Sequence, residues 1–265
     1  MSVVPLRGAA ELAEWIDGIA GTGAAGAGTA GTGTVPTPYG PELDDLHHLY
    51  ATARRAAVVS ALEFGSGWST AALALALHEN AASFSDAYDV RHPNPFRLLS
   101  VDVSTEYSAQ AVGRLPDEVR AHVVPHVTGA RLVEYGGRWA SLYDDLPPFV
   151  ADLIYLDGPE PGQVEGRADG FVLEDPHGLP NSADLLRLEP MLWPETLVIV
   201  DGRTANARFL RANLQRSWQF LHDPYGDRTT LFLDETAFGE ISARHVAARR
   251  RLGRALLGKP SKNAL

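Results

Sequence analysis

Apolar runs of strand length alternate along this chain with stretches of helical periodicity, from about residue 43 to residue 235. This alternation is typical of a parallel sheet covered by helices. The predicted strands are Ala57–Phe64, Arg97–Val103, Val123–Val127, Ala151–Asp157, Thr196–Asp201, Trp218–His222 and Thr229–Leu233. The last two are joined by the turn sequence D-P-Y-G-D-R and predict an antiparallel pair. We therefore expect an α/β fold: a doubly wound, mostly parallel sheet of about seven strands with an antiparallel C-terminal strand pair.

Helices are expected between these strands, and one long polar segment is expected to be a loop. The predicted helices are residues 5–19, Leu43–Ala57, Ser69–His78, Glu106–Arg114, Arg138–Asp145 and Ala205–Gln215. The segment Asn80–Phe96 is polar and contains proline, which favours a loop.

Composition divides the chain into three regions. The tract Gly21–Thr34 reads G-T-G-A-A-G-A-G-T-A-G-T-G-T and predicts a flexible linker, because it has nothing to bury. The expected organisation is therefore an N-terminal segment with this linker over residues 1–37, one α/β domain over 38–240, and a basic tail over 241–265.

Composition and charge exclude several classes of protein. Cysteine is absent, so there is no disulfide scaffold, thiolate zinc site, iron–sulfur cluster or cysteine nucleophile. No apolar stretch reaches the roughly 18 residues of a transmembrane segment. The first residues lack the pattern of a secretory signal, so we expect a cytoplasmic enzyme or binding protein. The net charge of −10 argues against general affinity for nucleic acid.

The C-terminal tail carries charge of the opposite sign. Residues 241–265 hold seven Lys and Arg and no acid, which leaves −17 on the rest of the chain. Within the tail, His245–Leu257 has arginines on one face at helical spacing. Such a helix docks on the protein's own acidic body or on a second copy in a homodimer; the alternative is weak peripheral contact with an anionic membrane.

The strongest motif follows the first predicted strand. Residues Glu63–Thr70 read E-F-G-S-G-W-S-T, and Gly65 and Gly67 permit a tight turn with close approach of a ligand. Asp102 ends the second strand, where a carboxylate can accept hydrogen bonds from ribose hydroxyls. The alternative is a structural turn, with Asp102 capping the next helix. Thr70 replaces the third glycine of a dinucleotide motif, and Glu63 suits an ammonium group better than a pyrophosphate.

These segments resemble the class I S-adenosylmethionine-dependent methyltransferases over roughly Leu43–Glu235. The resemblance also rests on S-V-D at Ser100–Asp102, on D-L-I-Y-L-D-G at Asp152–Gly158 and on the closing antiparallel strands. It implies a Rossmann-like fold with S-adenosylmethionine as cofactor. The cofactor-binding residues it implies are Glu63, Gly65, Ser66, Gly67, Ser69, Thr70, Asp102 and Asp157, with Thr128, Gly129 and Ala130 beside the adenine. The 35 positions between Gly67 and Asp102 exceed the usual spacing, which fits an insertion at the predicted loop.

Two aspartates end predicted strands at the edge where the cofactor would bind. Asp157 and Asp201 are similar to the divalent-metal ligands of catechol- and macrocin-type O-methyltransferases, which implies Mg²⁺. Asp184 completes this set only if its segment folds back, and it is also a candidate substrate contact. The alternative is that Asp157 contacts substrate or caps a turn, while Asp201 opens the next loop.

Methyl transfer needs a base for the acceptor proton, and the candidates are Asp157, Glu160 and His177. Arg203 is expected to bind an anionic substrate group, or else to pair with a nearby acid. The expected function is methyl transfer to an oxygen of a small molecule or sugar hydroxyl. The alternatives are an NAD(P)-dependent oxidoreductase and a catalytically inactive cofactor-binding module.

Overall fold

The computed structural model describes residues 3–23, 40–167, 170, 172 and 181–257. Most of the predicted linker lies outside these residues, and so does His177. The first three residues of the predicted linker belong to a helix that ends at Gly23.

Strands of the described chain form two sheets. They are β1 (Ser60–Phe64), β2 (Arg97–Asp102), β3 (Val123–Val127), β4 (Ala130–Tyr135), β5 (Arg138–Tyr143), β6 (Leu153–Leu156), β7 (Val164–Glu165), β8 (Leu197–Asp201), β9 (Trp218–Asp223) and β10 (Arg228–Leu233). The main sheet has the order β3-β2-β1-β6-β8-β10-β9. Strand β10 runs antiparallel to both of its neighbours, whereas β1, β2, β3, β6 and β8 pair in parallel. The predicted Rossmann-like α/β fold with an antiparallel closing pair is confirmed, and the last strand in sequence inserts between β8 and β9.

Helices cover both faces of this sheet. They are α1 (Ala9–Gly23), α2 (Leu43–Arg55), α3 (Trp68–Phe84), α4 (Thr105–Gly113), α5 (Asp117–Arg120), α6 (Asp184–Leu188), α7 (Thr204–Asn213) and α8 (Gly239–Leu257). Among the described residues, none of these helices is long and apolar enough to cross a membrane.

Helix α3 is longer than predicted and takes in the first residues of the expected loop. Asn80 looks like a loop residue in the sequence, but it is fully buried. Its side-chain amide donates to the carbonyls of Ala53 and Val58, which join α3 to the end of α2. Tertiary hydrogen bonds of this kind satisfy a polar residue inside a helix, so the loop begins after Phe84.

The helix predicted at Arg138–Asp145 is wrong. These residues form β5, which pairs antiparallel with β4, and β7 adds to β4 to make a three-stranded second sheet. The turn between β4 and β5 is Gly136-Gly137, and both glycines have positive φ. A two-glycine turn of this kind favours a tight hairpin, and that signal outweighs the helical spacing read from the sequence.

The core lies on the two faces of the main sheet. Successive strand residues point to opposite sides, so Ala61 packs in the cluster under α1–α3 and Leu62 in the cluster under α6 and α7. All five residues of β1 are buried. Strand β1 is therefore an interior strand, between β2 and β6, and residues 65–67 at its carboxyl end form the turn called the glycine turn below.

Helix α8 docks on the body of the protein through its buried face. His245 donates from Nε2 to Asp152 Oδ1 at 2.6 Å, and Arg249 lies 3.3 Å from the same oxygen. On the exposed face, Arg244 pairs with Asp89 and Arg250 with Glu195. The described part of the tail thus contacts the protein's own acidic groups; the homodimer and the membrane contact stay predictions.

Candidate functional site

A cavity of about 650 Å³ opens at the carboxyl ends of the parallel strands. Asp102 ends β2, Asp201 ends β8, Gly65 follows β1 and Asp157 follows β6. Among its lining residues are Glu42, Asp45, Gly65, Ser66, Gly67, Trp68, Ser69, Asp102, Tyr107, Gln110, Arg114, Tyr155, Asp157, Gly158, Glu160 and Asp201. Its size lies within the roughly 300–1,000 Å³ of small-molecule sites.

The glycine turn lines the cavity and is hydrogen-bonded to Asp102 at the end of β2. Gly65 has φ +97°, and a Cβ placed there would lie 3.0 Å from the backbone nitrogen of Gly158. The Ser66 N–H donates to Asp102 Oδ2 at 2.7 Å, and the Ser104 N–H donates to Oδ1 at 2.6 Å. Asp102 therefore accepts hydrogen bonds from both the glycine turn and the residue before α4. It also lines the cavity.

Glu63 lies beneath the turn and does not line the cavity. Its carboxylate is fully buried and accepts hydrogen bonds from the hydroxyls of Thr70, Ser100 and Ser69 at 2.5, 2.6 and 3.0 Å. Burial raises the pKa of Glu63 to about 7, although these hydroxyls oppose the shift. Glu63 and Thr70 thus hold the turn from below, whereas Gly65, Ser66, Gly67 and Ser69 border the cavity.

The turn after β3 does not reach the cavity. The Thr128 N–H donates to the carbonyl of Asp102, Gly129 faces the carboxylate of Asp144, and Ala130 is buried as the first residue of β4. The unexpected hairpin begins at Ala130, directly after Thr128 and Gly129. In this structure Thr128, Gly129 and Ala130 are therefore not lining residues, contrary to the sequence expectation.

Asp157, Asp201 and Tyr155 line the cavity at the ends of β6 and β8. The hydroxyl of Tyr155 donates to Asp201 Oδ2 at 2.6 Å, and burial raises the pKa of Asp201 against this bond. Asp157 is 53% exposed, facing the cavity. The surrounding protein raises its pKa to about 7, Arg203 opposes the shift, and the nearby Asp201 and Glu160 add to it. A carboxyl group with this pKa accepts and releases protons near neutral pH.

Arg203 is bound to the loop after β6 and is not free to bind an anionic group of a substrate. Its Nη1 donates to the carbonyl of Pro159 at 3.0 Å, and Nη2 donates to the carbonyl of Asp157. Its guanidinium also lies 3.5 Å from Glu160 and 3.7 Å from Asp157. Of the two expectations for Arg203, the ion pair describes the structure, and it fixes the loop after β6.

Asp184 does not join Asp157 and Asp201. It is fully buried, accepts from Ser182 and the Tyr143 N–H, and pairs with Arg187 at 2.7 Å. Its expected roles as third metal ligand and substrate contact are therefore wrong, because its oxygens already have partners away from the cavity.

Within the described ranges, one group of three residues has spacing that a single metal ion would bridge, and it excludes the two cavity aspartates. It consists of His92, Asp152 and His245, with ligand atoms within 4.8 Å of one another. Asp152 precedes β6, so this group lies at the opposite end of the strand from Asp157. Asp157 and Asp201 both line the cavity, but among the described residues they do not belong to a group of three with this spacing.

Sequence reasoning did not assign several of the lining residues. Glu42 and Asp45 come from the start of α2, and Tyr107, Gln110 and Arg114 come from one face of α4. The spacing of the α4 residues was a signal, because positions i, i+3 and i+7 share a helix face. Tyr155 was also detectable, since it lies two residues before Asp157 in an extended segment and thus on the same side.

Comparisons with known proteins find similar folds at low identity. No protein-family model matches the chain, and no curated protein matches it. A methyltransferase from Geobacter sulfurreducens is 15% identical, with 87% of this chain and 100% of that one covered and a TM-score of 0.44. Podospora anserina methyltransferase PaMTH1, crystallised with SAH, is 14% identical, with 89% and 100% covered and a TM-score of 0.44. The O-methyltransferase TomG from Streptomyces achromogenes, in complex with SAM, is 16% identical, with 74% and 82% covered and a TM-score of 0.41.

These similar structures are methyltransferases, the class that the sequence resembles. At this identity and these TM-scores, the likeness carries no assignment of function to this chain.

Proposed function

We propose that this protein is an S-adenosylmethionine-dependent methyltransferase that acts on an oxygen of a small molecule or sugar hydroxyl. One observation carries the proposal. The Ser66 N–H of the glycine turn donates a hydrogen bond to Asp102, and both residues line the cavity that Asp157 faces. In this proposal the Asp102 carboxylate would accept hydrogen bonds from ribose hydroxyls. The backbone of the glycine turn, which a ligand can approach closely, and the carboxyl of Asp157 line the same cavity.

The charge of the cavity favours this cofactor over a dinucleotide. In the described part of the chain, its lining has one guanidinium, that of Arg114, and six carboxylates, from Glu42, Asp45, Asp102, Asp157, Glu160 and Asp201. Such a wall repels a pyrophosphate and attracts the sulfonium and ammonium groups of S-adenosylmethionine. The residues therefore fit the cofactor, and the NAD(P) alternative is disfavoured.

Gly65, Ser66, Gly67, Ser69 and Asp102 would hold the cofactor, and Asp157 would act on the acceptor. The bound cofactor supplies an electrophilic methyl group. Asp157 accepts the proton of the acceptor hydroxyl, since its raised pKa matches that task at neutral pH. Tyr155 orients Asp201 on the same wall.

A divalent ion is an alternative way to activate the acceptor, because one carboxylate oxygen cannot both bind a metal ion and accept the proton. Asp157 and Asp201 would give Mg²⁺ two carboxylate oxygens, and water would complete its shell. Bound there, the ion would lower the pKa of an acceptor hydroxyl.

Isothermal titration calorimetry tests the cofactor. We expect S-adenosylmethionine and S-adenosylhomocysteine to bind with dissociation constants of about 1–100 µM, and NADH to give no heat. Asp102→Ala should weaken binding at least about tenfold, as expected for loss of charge-assisted hydrogen bonds. Asp86→Ala, an exposed aspartate outside the cavity, should not.

The outcomes separate the alternatives. A folded protein that binds neither sulfur compound refutes the proposal, and binding of NADH alone favours the oxidoreductase. Binding without turnover, on a panel of sugars and catechols with and without Mg²⁺, favours the inactive module.

A further inference from the structure

Arg114 is the one positively charged side chain lining the cavity in the described part of the chain. It follows α4 directly, and its Cζ atom lies over the indole of Trp68, 3.9 Å from the ring centroid. Trp68 is the first residue of α3, immediately after the glycine turn. Stacking on a fixed aromatic ring holds a guanidinium in one orientation.

The hydrogen-bonding capacity of this guanidinium is largely unused. Within the described residues, Nε donates to the carbonyl of Gln110 at 3.2 Å, Nη1 is buried without an acceptor, and no carboxylate lies within 4.0 Å. Burial lowers the pKa of Arg114 from its ordinary value, so the charge is partly desolvated. A desolvated, unpaired guanidinium costs free energy unless an anion completes it.

Of the six carboxylates that line the cavity among the described residues, three are engaged elsewhere, and none of the six lies within 4.0 Å of the Arg114 guanidinium. Asp102 accepts from two backbone N–H groups, Asp201 from Tyr155, and Asp45 pairs with Arg228. An anion that completes Arg114 must therefore come with a ligand. The N-terminal end of α3, a helix of 17 residues, lies beside the same guanidinium and also favours negative charge.

We propose that Arg114 binds the α-carboxylate of S-adenosylmethionine. This inference rests on the proposed function and deepens it. A ribose at Asp102 brings the amino-acid part of the cofactor over the glycine turn, next to Trp68. The ammonium and sulfonium groups then face the acidic walls, and the carboxylate meets the single cation. Arg114 thereby selects a zwitterionic amino-acid tail over an uncharged or wholly cationic one.

The test compares S-adenosylmethionine with decarboxylated S-adenosylmethionine, which lacks only the carboxylate. Calorimetry is run on the wild type, Arg114→Gln, Arg114→Lys and the control Arg208→Gln, an exposed arginine on α7 that does not line the cavity. We expect Arg114→Gln to raise the dissociation constant of S-adenosylmethionine about 10- to 100-fold. The dissociation constant of the decarboxylated compound should change by less than about twofold. Arg114→Lys should fall between, because an ammonium keeps the charge and loses the fork geometry. Thermal melts confirm that each variant is folded.

The remaining outcomes overturn the assignment in distinguishable ways. If Arg114→Gln weakens the binding of both compounds equally, Arg114 only supports the structure of the cavity wall. Unchanged binding of both, with a raised KM for an anionic acceptor, assigns the guanidinium to the acceptor and not to the cofactor. If the wild type binds no S-adenosylmethionine at all, the proposed function fails before this inference is reached.

Discussion

Three carboxyl groups share a pKa of about 7 but differ in what surrounds them. Desolvation by the surrounding protein is the main cause of the raised pKa for Glu63, Asp157 and Asp184. Glu63 and Asp184 are enclosed and hydrogen-bonded to their neighbours, whereas Asp157 faces the cavity with half of its side chain exposed. Of these three, only Asp157 is able to exchange a proton with a bound acceptor.

At the scale of this residue, we predict a pH-dependent rate. Methyl transfer should rise with pH through about 7, because Asp157 must be ionised to accept a proton. Asp157→Asn should lower kcat by roughly 10²–10⁴-fold and remove the rising limb. Initial rates between pH 5.5 and 8.5 check this. A rising limb that survives in Asp157→Asn would assign the base elsewhere, and Asp201→Asn serves as the comparison.

At the scale of elements, α8 shows how one helix combines strong and weak contacts. Burial alone would raise the pKa of Asp152, but Arg249 and His245 outweigh it and hold that pKa well below its usual range. The second oxygen of Asp152 accepts from the backbone N–H of Val59 and Ser60, just before β6 pairs with β1. This buried contact joins α8 to the sheet, whereas Arg244 and Asp89 pair in solvent.

We therefore predict unequal effects of two charge removals along α8. Asp152→Ala leaves His245 and Arg249 buried without their partner, and should cost about 3–5 kcal/mol, a fall in Tm of roughly 10 °C. Asp89→Ala breaks only the exposed pair and should change Tm by less than about 2 °C. Differential scanning calorimetry on both variants checks the contrast. Similar losses in the two would mean that the buried network does not anchor the helix.

The elements themselves were mostly predictable, with one informative failure. Strand β3 was placed at its observed bounds, and the other main strands within a few residues, because apolar runs between turn residues are local signals. The helix at Arg138–Asp145 was wrong because its conformation depends on pairing with β4 across Gly136-Gly137. The end of α3 was misplaced because Asn80 finds its partners in α2 and the following turn, distant in sequence.

At the scale of the whole molecule, the raised carboxyl pKa values make stability depend on pH. A carboxyl whose folded pKa exceeds its ordinary value binds more protons in the native state than in the unfolded chain. Its contribution is therefore lost as pH rises from the ordinary values of 4.5 for Glu63 and 3.8 for Asp157 and Asp184 through about 7. The lowered pKa values of His48, His92 and His122 act oppositely below about pH 6.5.

We expect the free energy of unfolding to fall between about pH 6.5 and pH 8. Above pH 6.5, His48, His92 and His122 are more than half neutral even at their ordinary pKa of 6.5, so the three carboxyl groups dominate. Asp157→Asn should reduce the fall and raise Tm at pH 8, because an amide needs no ionisation. Urea unfolding at several pH values measures it. A free energy of unfolding that rises over this range would contradict the assigned pKa shifts.

The sequence by itself determined the α/β class, the antiparallel closing pair, and the glycine turn with Asp102 at one sheet edge. These features follow from periodicity and turn chemistry, which act over a few neighbouring residues. Only the tertiary structure decided the surroundings of the side chains. Glu63 lies beneath the glycine turn, and Arg203 is bound to the loop after β6. Asp184 pairs with Arg187 away from the cavity, whereas Arg114 lines it. Those outcomes depend on partners far apart in the chain, whose distances no local pattern encodes.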